Sequence, residues 1–210
     1  MPFVSIICLL FLLLCTQHTA ANTFTSFYQA KKHLSSQLSD TTKTLYCECG
    51  ITRQGKKLIP KTQECGYRPR KPITRNGKPN SRTTRIEWEH IVPAWEFGHQ
   101  LQCWQEGGRA NCRKVNALFR RMEADPNNLA PTIGEINGDR SNYRFGMLPD
   151  TPFRHGNCAV KISFKQRVIE PPPSARKQIA HAYFYMQQTY GLVISDKQKK
   201  LFETWAKVEH

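Results

Sequence analysis

The chain has 210 residues, with 31 Lys/Arg against 16 Asp/Glu, and a formal net charge of +15. This length supports one domain with a hydrophobic core, and the lack of internal repeats or low-complexity tracts excludes a tandem-repeat arrangement. The positive surplus indicates a polyanionic partner, namely nucleic acid, an anionic membrane or an acidic glycan.

The N-terminal 21 residues contain no Lys, Arg, Asp or Glu, and the segment Phe3–Leu14 is almost wholly apolar. Such a run is too short to span a membrane comfortably and is typical of a secretory signal peptide. Small residues at Thr19 and Ala21 favour cleavage after Ala21, whereas a lipoprotein site at Cys15 is disfavoured by the bulky Leu14. We therefore predict an exported protein, periplasmic or secreted, whose mature domain is 22–210.

Six cysteines follow the predicted cleavage site. In an exported chain an even number indicates three disulfides, for which 15 pairings exist. Cys103 and Cys112 flank Gly107-Gly108, which favours a local closure between them. A structural zinc site is the alternative, but no Cys-x-x-Cys pair supports it.

The first part of the mature chain pairs a helix with a basic stretch. Helical spacing of apolar residues over 23–39 predicts an amphipathic helix that packs on the domain. From Arg53 to Arg85 there are eleven Lys/Arg, one acid and four prolines, which predicts an extended, turning segment. Its one-sided charge favours a phosphate-contacting surface, involving Arg70, Lys71, Arg75 and Arg85, over a simple solvated loop.

A predicted β-strand leads from this basic stretch into Glu89-His90. Alternation places Ile86, Trp88 and His90 on one face and the glutamates on the other, and Pro93 ends the strand. A histidine beside a carboxylate is typical of a general base or a metal site. The alternative is a core histidine held by a neighbouring acid.

The remaining pattern predicts an α+β domain. A short helix or turn is expected over 94–104 and a helix ending near Asp125-Pro126, followed by a polar Gly/Asn-rich stretch without a packing face over 127–142. A strand is predicted over 158–164. Two C-terminal helices follow, one capped by Ser174 and stopped at Gly191, the other begun by a Ser195/Gln198 capping box.

Phosphodiester hydrolysis requires a base for water, a cation on the phosphate and a donor for the added negative charge. His90 could supply the base and Glu89 a carboxylate ligand for Mg²⁺, which often takes only one or two protein side chains. The second ligand would be an asparagine, and composition does not choose among Asn127, Asn128, Asn137 and Asn142.

Three ordered motifs make the assignment more specific. They are Arg85–Ala94; Gln102–Gln105 with Gly107–Arg109; and Asn128–Pro131 with Gly134–Asn142. Together they resemble the endonuclease I family of exported bacterial nucleases in the ββα-metal (His-Me finger) class. The likeness covers roughly residues 45–205 and is strongest over 82–146.

The resemblance implies a role for each matching residue. His90 would be the base that activates water, Glu89 and Asn137 would bind a single Mg²⁺, and Arg109 would donate to the phosphate. The strand would end at Glu89-His90, and Asn137 would lie on the helix of a ββα finger. Arg140 would contact phosphate, or form a structural ion pair with Glu135 or Asp139.

The expected protein is thus a monomeric, Mg²⁺-dependent endonuclease acting on DNA, with RNA as an alternative substrate, without sequence preference or a membrane partner. Mn²⁺ or Ca²⁺ would also fit its site, and 5′-phosphate ends are implied. The rival interpretation is a non-catalytic secreted polyanion-binding protein. Trp88 and Trp95 are expected in the core, and Glu87 is expected either to orient His90 or to face solvent.

Overall fold

The computed structural model describes residues 24–207, so the predicted signal peptide lies outside the described part of the chain. Its helices are α1 Phe27–Ser36, α2 Thr62–Cys65, α3 Ala94–Gly98, α4 Gln102–Val115, α5 Ala117–Glu123, α6 Gly134–Arg140, α7 Pro173–Tyr190 and α8 Asp196–Ala206. The strands are β1 Ile51–Gln54, β2 Lys57–Pro60, β3 Ile86–His90, β4 Leu129–Ile133, β5 Arg144–Phe145, β6 Lys161–Ser163 and β7 Val168–Glu170.

The strands form three small sheets rather than one. β1 and β2 make a hairpin, β3 pairs antiparallel with β4, and β7 lies between β5 and β6. The β3–β4 register sets Glu89 opposite Ala130 and His90 opposite Leu129. Helix α6 begins at Gly134, directly after β4, so β3, β4 and α6 follow one another in the order ββα.

Helix α7 organises the main core because its inward face is fully buried at Ile179, Tyr183 and Met186. Tyr183 packs on Phe202 of α8 with 4.1 Å between ring centroids. The predicted Gly191 stop is confirmed by its left-handed φ of 70°, a conformation that glycine adopts without strain. These contacts fix the C-terminal helices against the sheets in a single α+β domain.

One helix start differs from the prediction, and a second agrees with it in part. Pro172, not Ser174, is the N-cap of α7. Pro173 takes the first helical position, where the missing N–H of proline costs no hydrogen bond. Ser195 does accept from the backbone nitrogen of Gln198. The Gln198 side chain, however, donates to the Phe145 carbonyl, so the capping box is only half formed.

Three disulfides cross-link the domain: Cys47–Cys158, Cys49–Cys65 and Cys103–Cys112. The expected local pairing is confirmed, although it lies within helix α4, which kinks at Gly107-Gly108, and not in a loop. Within residues 24–207, no helix combines the length and apolar character needed to cross a membrane.

Removal of these cross-links should destabilise the protein, because each restricts the unfolded chain by typically about 2–4 kcal/mol. The effect should be largest for Cys47–Cys158, whose partners are 111 residues apart, and smaller for Cys103–Cys112, 9 apart. Urea unfolding of paired Cys→Ser variants measures both. Equal stability of the two variants and the oxidised protein would contradict the expectation.

Candidate active site

A cavity of about 420 Å³ opens along β3 and contains four residues that the sequence singled out: Glu89, His90, Arg109 and Asn137. Successive strand residues point to opposite faces, yet Glu89 and His90 both line it. The chain bends directly after the strand, at Ile91-Val92. The cavity therefore collects groups from both faces of the strand and from the three helices α1, α4 and α6.

His90 is held in one tautomer by a backbone contact. Its Nε2 lies 2.8 Å from the Glu123 carbonyl oxygen, which only accepts, so Nε2 carries the proton and Nδ1 keeps a free lone pair. The Phe27 ring packs 4.5 Å from the imidazole. Burial, opposed by the Glu123 carbonyl and reinforced by the charge of Arg109, lowers the pKa of His90 to about 4. The imidazole is thus neutral at physiological pH.

The two carboxylate oxygens of Glu89 differ in their hydrogen bonds. Its Oε1 accepts from the Tyr46 hydroxyl at 2.9 Å and from Arg140 Nη1 at 2.8 Å. No residue in 24–207 donates a hydrogen bond to Oε2. Burial raises the pKa of Glu89, and the Arg140 charge opposes that shift. The carboxylate is therefore fixed through one oxygen, while the other remains available as a ligand.

Asn137 is oriented by Glu87. Its Nδ2 donates to Glu87 Oε2 at 2.9 Å, which leaves the carbonyl Oδ1 without a donor among the described side chains and backbone groups. Glu87 is itself fixed by Arg82 and Arg85, and these arginines lower the pKa of its carboxyl against the effect of burial. The sequence analysis expects Glu87 either to orient His90 or to face solvent. The structure shows neither, because Glu87 is paired with Arg82 and Arg85 and orients Asn137.

The glycines of α6 permit this arrangement. A side chain at Gly134 would meet Glu87 Oε1 at 2.8 Å, and one at Gly138 would collide with the Arg82 guanidinium. The Arg82–Glu87 pair therefore packs directly on the helix backbone. The Gly/Asn-rich composition of 127–142 reflects this close approach, and the absence of a packing face inferred from it is wrong, because Ile133 and Ile136 are fully buried.

Arg109 follows the Gly107-Gly108 kink, where Gly108 has a φ of 63°. Its Nε donates to Glu123 Oε1 at 2.6 Å, and no hydrogen bond from its terminal nitrogens to residues 24–207 is present. The side chain is 40% exposed, which leaves these donors accessible. Glu123 thus organises two site residues, His90 through its carbonyl and Arg109 through its carboxylate.

Arg140 requires a correction. The side chain is 1% exposed and pairs with Glu89, not with Glu135 or Asp139. Its Nη1 also donates to the His90 carbonyl and its Nη2 to the Ile91 carbonyl. The Glu89 carboxylate raises the pKa of Arg140 against the desolvation that burial imposes. A guanidinium enclosed in this way does not reach a phosphate in solvent.

The other predicted nucleic-acid contacts are dispersed. Arg70 forms a two-point ion pair with Asp139, and Arg85 binds Glu87 at the edge of the cavity. Lys71 and Arg75 are exposed and form no ion pair with the described residues. Glu135 accepts hydrogen bonds from the backbone nitrogens of Arg70 and Lys71 and so connects this loop to α6.

The chain matches a known protein family. The Endonuclease I family profile matches residues 25–208. The chain belongs to the endonuclease I family. As a member it is an endonuclease, and the resemblance seen in its motifs is confirmed.

Several relatives of this endonuclease are close. It is 50% identical to an extracellular deoxyribonuclease of Aeromonas hydrophila over 181 residues, which cover 86% of this chain and 76% of that protein. A periplasmic deoxyribonuclease of the same species is 49% identical over 181 residues, with 86% and 73% covered. Endonuclease-1 of Buchnera aphidicola (subspecies Acyrthosiphon pisum) is 44% identical over 186 residues, with 89% and 71% covered. Extracellular and periplasmic relatives, together with the disulfides, confirm the predicted export.

Sequence reasoning missed several parts of the endonuclease's site. Tyr46 and Glu123 hold Glu89 and His90, and Phe27 and Lys31 of α1 form a wall of the cavity. The helical spacing of α1 was visible in the sequence, but nothing there indicated where the helix docks. Trp95, expected in the core, is 46% exposed and stacks on His99, whereas Trp88 is half-buried and donates to Ser35.

Proposed function

We propose that this protein is an exported, Mg²⁺-dependent endonuclease that hydrolyses phosphodiester bonds of DNA with little sequence preference. One observation carries the proposal: His90 Nδ1, Glu89 Oε2 and Asn137 Oδ1 accept no hydrogen bond from residues 24–207, and their residues line one cavity with Arg109. None of the three is among the fully buried unpaired atoms of residues 24–207, so each is accessible to a ligand in the cavity.

The donor set fits magnesium. Mg²⁺ prefers oxygen ligands and binds through one or two protein side chains, as Glu89 and Asn137 would provide. Residues 24–207 contain no group of three or more His, Cys, Asp or Glu suited to a metal, which leaves this carboxylate–amide pair as the candidate. When bound, the cation would neutralise charge on the phosphate and the leaving oxygen. The ββα order of β3, β4 and α6 supports assigning them to a ββα-metal finger.

Three side chains would carry out the other parts of the reaction. His90 accepts a proton from the attacking water at Nδ1, and its Nε2–H contact with the Glu123 carbonyl keeps the ring aimed. Arg109 donates from its terminal nitrogens to the phosphate as negative charge accumulates. Glu87 accepts from the Asn137 amide nitrogen, which would leave the amide carbonyl oxygen to bind the ion.

DNA is the proposed substrate because the named relatives include deoxyribonucleases. Contacts to phosphates do not distinguish between base sequences, and the sequence has no recognition-helix pattern for base edges. Cleavage leaving 5′-phosphate ends is what the family resemblance implies, and RNA is the alternative substrate. The protein is proposed to act as a monomer.

A plasmid-nicking assay with and without EDTA tests the proposal. Open circles and linear DNA should form with Mg²⁺ and not with EDTA, and end-labelling should find 5′-phosphates. DNA that binds the oxidised protein but stays intact over a range of divalent ions would instead support the non-catalytic polyanion-binding alternative.

Glu89→Gln isolates the ligand role. The amide oxygen can still accept hydrogen bonds from Tyr46 and Arg140, but Arg140 loses its charged partner, whereas alanine would remove the hydrogen bonds as well. We expect magnesium affinity to fall by at least the roughly 10- to 100-fold that loss of an outer partner costs. Part of the lost rate should therefore return as magnesium is raised.

The matched control is Glu203→Gln, an exposed glutamate on α8. The readout is the magnesium dependence of the nicking rate, with direct Mg²⁺ titration by calorimetry. An unchanged magnesium midpoint in Glu89→Gln would remove Glu89 from the ligand set.

A further inference from the structure

A second groove leads away from the candidate active site. It has a volume of about 1320 Å³ and lies between α1 and the β1–β2 hairpin. Lys31, Arg85 and Trp88 line both this groove and the active-site cavity. A chain whose phosphate occupies the cavity would therefore enter the groove directly.

The groove lining is strongly cationic. It contains six basic side chains and no acidic one: Lys31, Lys32, Arg53, Lys56, Lys57 and Arg85. Arg85 is paired with Glu87, and Arg53 donates to the Ser35 carbonyl. The four lysines form no ion pair with any carboxylate of residues 24–207. Their charge is thus available to an external anion.

Two features shape the groove for a polymer. The β1–β2 hairpin turns at Gly55, whose φ of 59° suits glycine, and this turn sets Lys56 and Lys57 opposite α1. Tyr28, 72% exposed on α1, presents an aromatic ring at the groove. Basic groups that follow a backbone, combined with an aromatic face, are the elements of single-stranded nucleic-acid binding without sequence preference.

We propose that this groove binds the stretch of nucleic-acid backbone adjoining the scissile phosphate, with lysines on both walls contacting phosphates and Tyr28 stacking on a base. The proposal rests on the nuclease function proposed above and gives its substrate a path. It also shifts the expected contacts from the Arg70 loop, where Arg70 is already paired with Asp139, to α1 and the hairpin. A membrane or glycan is disfavoured because the groove is continuous with a phosphodiester site.

The test compares two triple variants with equal charge change. Lys32, Lys56 and Lys57 are replaced by Ala in the groove, and Lys197, Lys199 and Lys200, exposed on α8, serve as the control. Both sets are placed on His90→Ala in EDTA to suppress cleavage. Fluorescence anisotropy then gives the affinity for a 30-base-pair duplex between 50 and 200 mM salt.

Loss of three phosphate contacts should flatten the salt dependence. At a slope of about −0.9 per contact, the parent should lose about 40-fold more affinity than the groove variant over this fourfold range. The α8 variant should retain the parent slope. With a single-stranded DNA of the same length, whose bases are free to stack, Tyr28→Ala should weaken binding at every salt concentration without changing the slope, because stacking releases no counterions.

Equal slopes for the groove and α8 variants would overturn the proposal. That result is separable from failure of the nuclease function, which would appear as intact plasmid with the unmodified protein and Mg²⁺. Cleavage by the unmodified protein together with equal slopes would refute the groove alone. Melting curves for all variants confirm that each is folded.

Discussion

Replacing His90 with alanine is expected to lower the turnover rate by about 10²- to 10⁴-fold, the usual contribution of a positioned general base. The contact between Nε2 and the Glu123 carbonyl leaves Nδ1 as the proton acceptor, and no other group in the cavity is both neutral and basic. Because Glu89 and Asn137 remain in place, magnesium and DNA affinities should change little. Raising magnesium should not restore the rate, in contrast to Glu89→Gln.

Chemical rescue sharpens this test. Truncation removes the ring that packs against Phe27, so added imidazole can occupy the vacated space and restore part of the rate. Truncating His99, which stacks on exposed Trp95 outside this cavity, gives a matched histidine control without rescue. Normal cleavage by His90→Ala, or recovery with magnesium, would remove His90 from the role of base. A melting curve separates catalysis from misfolding.

The pH dependence of the cleavage rate should also identify His90 as the base. Only neutral imidazole accepts a proton, and burial lowers the pKa of His90 to about 4 from a usual value near 6.5. The active form is therefore fully present above about pH 5 and is lost as pH falls through 4. Activity limited by this group should stay flat from pH 7 to 5, whereas activity limited by an ordinary histidine would already be halved at about pH 6.5. His90→Ala should lack this acid limb.

The sequence predicted those elements that depend on residues close together in the chain. Strand β3 was foreseen because its alternation and Pro93 fix both its face and its end. The Cys103–Cys112 pairing followed from the short spacing around two glycines. Helix α6 was not visible in composition, because its Asn and Gly residues have low helix propensity and burial of Ile136 supplies the stabilisation.

Contacts between distant residues could not be predicted in the same way. The Arg140–Glu89 pair joins residues 51 apart, and the Tyr46–Glu89 bond joins residues 43 apart. Cys47–Cys158 is one of many possible pairings, and only the folded chain selects it. The family motifs named the residues that line the cavity, whereas the docking of α1 beside them is a property of the tertiary fold.

Burial changes the role inferred for Arg140 from the motif. Substitution of this residue is expected to have the second large effect, on both stability and activity. Arg140→Met should lower the free energy of unfolding by about 3–5 kcal/mol, because Glu89 would remain buried without its partner. It should also abolish activity, since Glu89 Oε1 and the His90 and Ile91 carbonyls lose the donors that hold them. Urea unfolding and the nicking rate measure the two effects together.

Two further variants identify the cause. Glu89→Gln/Arg140→Met removes both charges, so it should regain much of the lost stability while remaining inactive. Arg140→Lys keeps the positive charge but cannot reach all three oxygens, which predicts intermediate stability. A phosphate-contacting Arg140 would behave differently, giving Arg140→Met normal stability, weaker DNA binding and a salt dependence reduced by about one contact. That pattern would refute the buried pair, because a guanidinium at 1% exposure cannot exchange ions with solvent unless the structure opens.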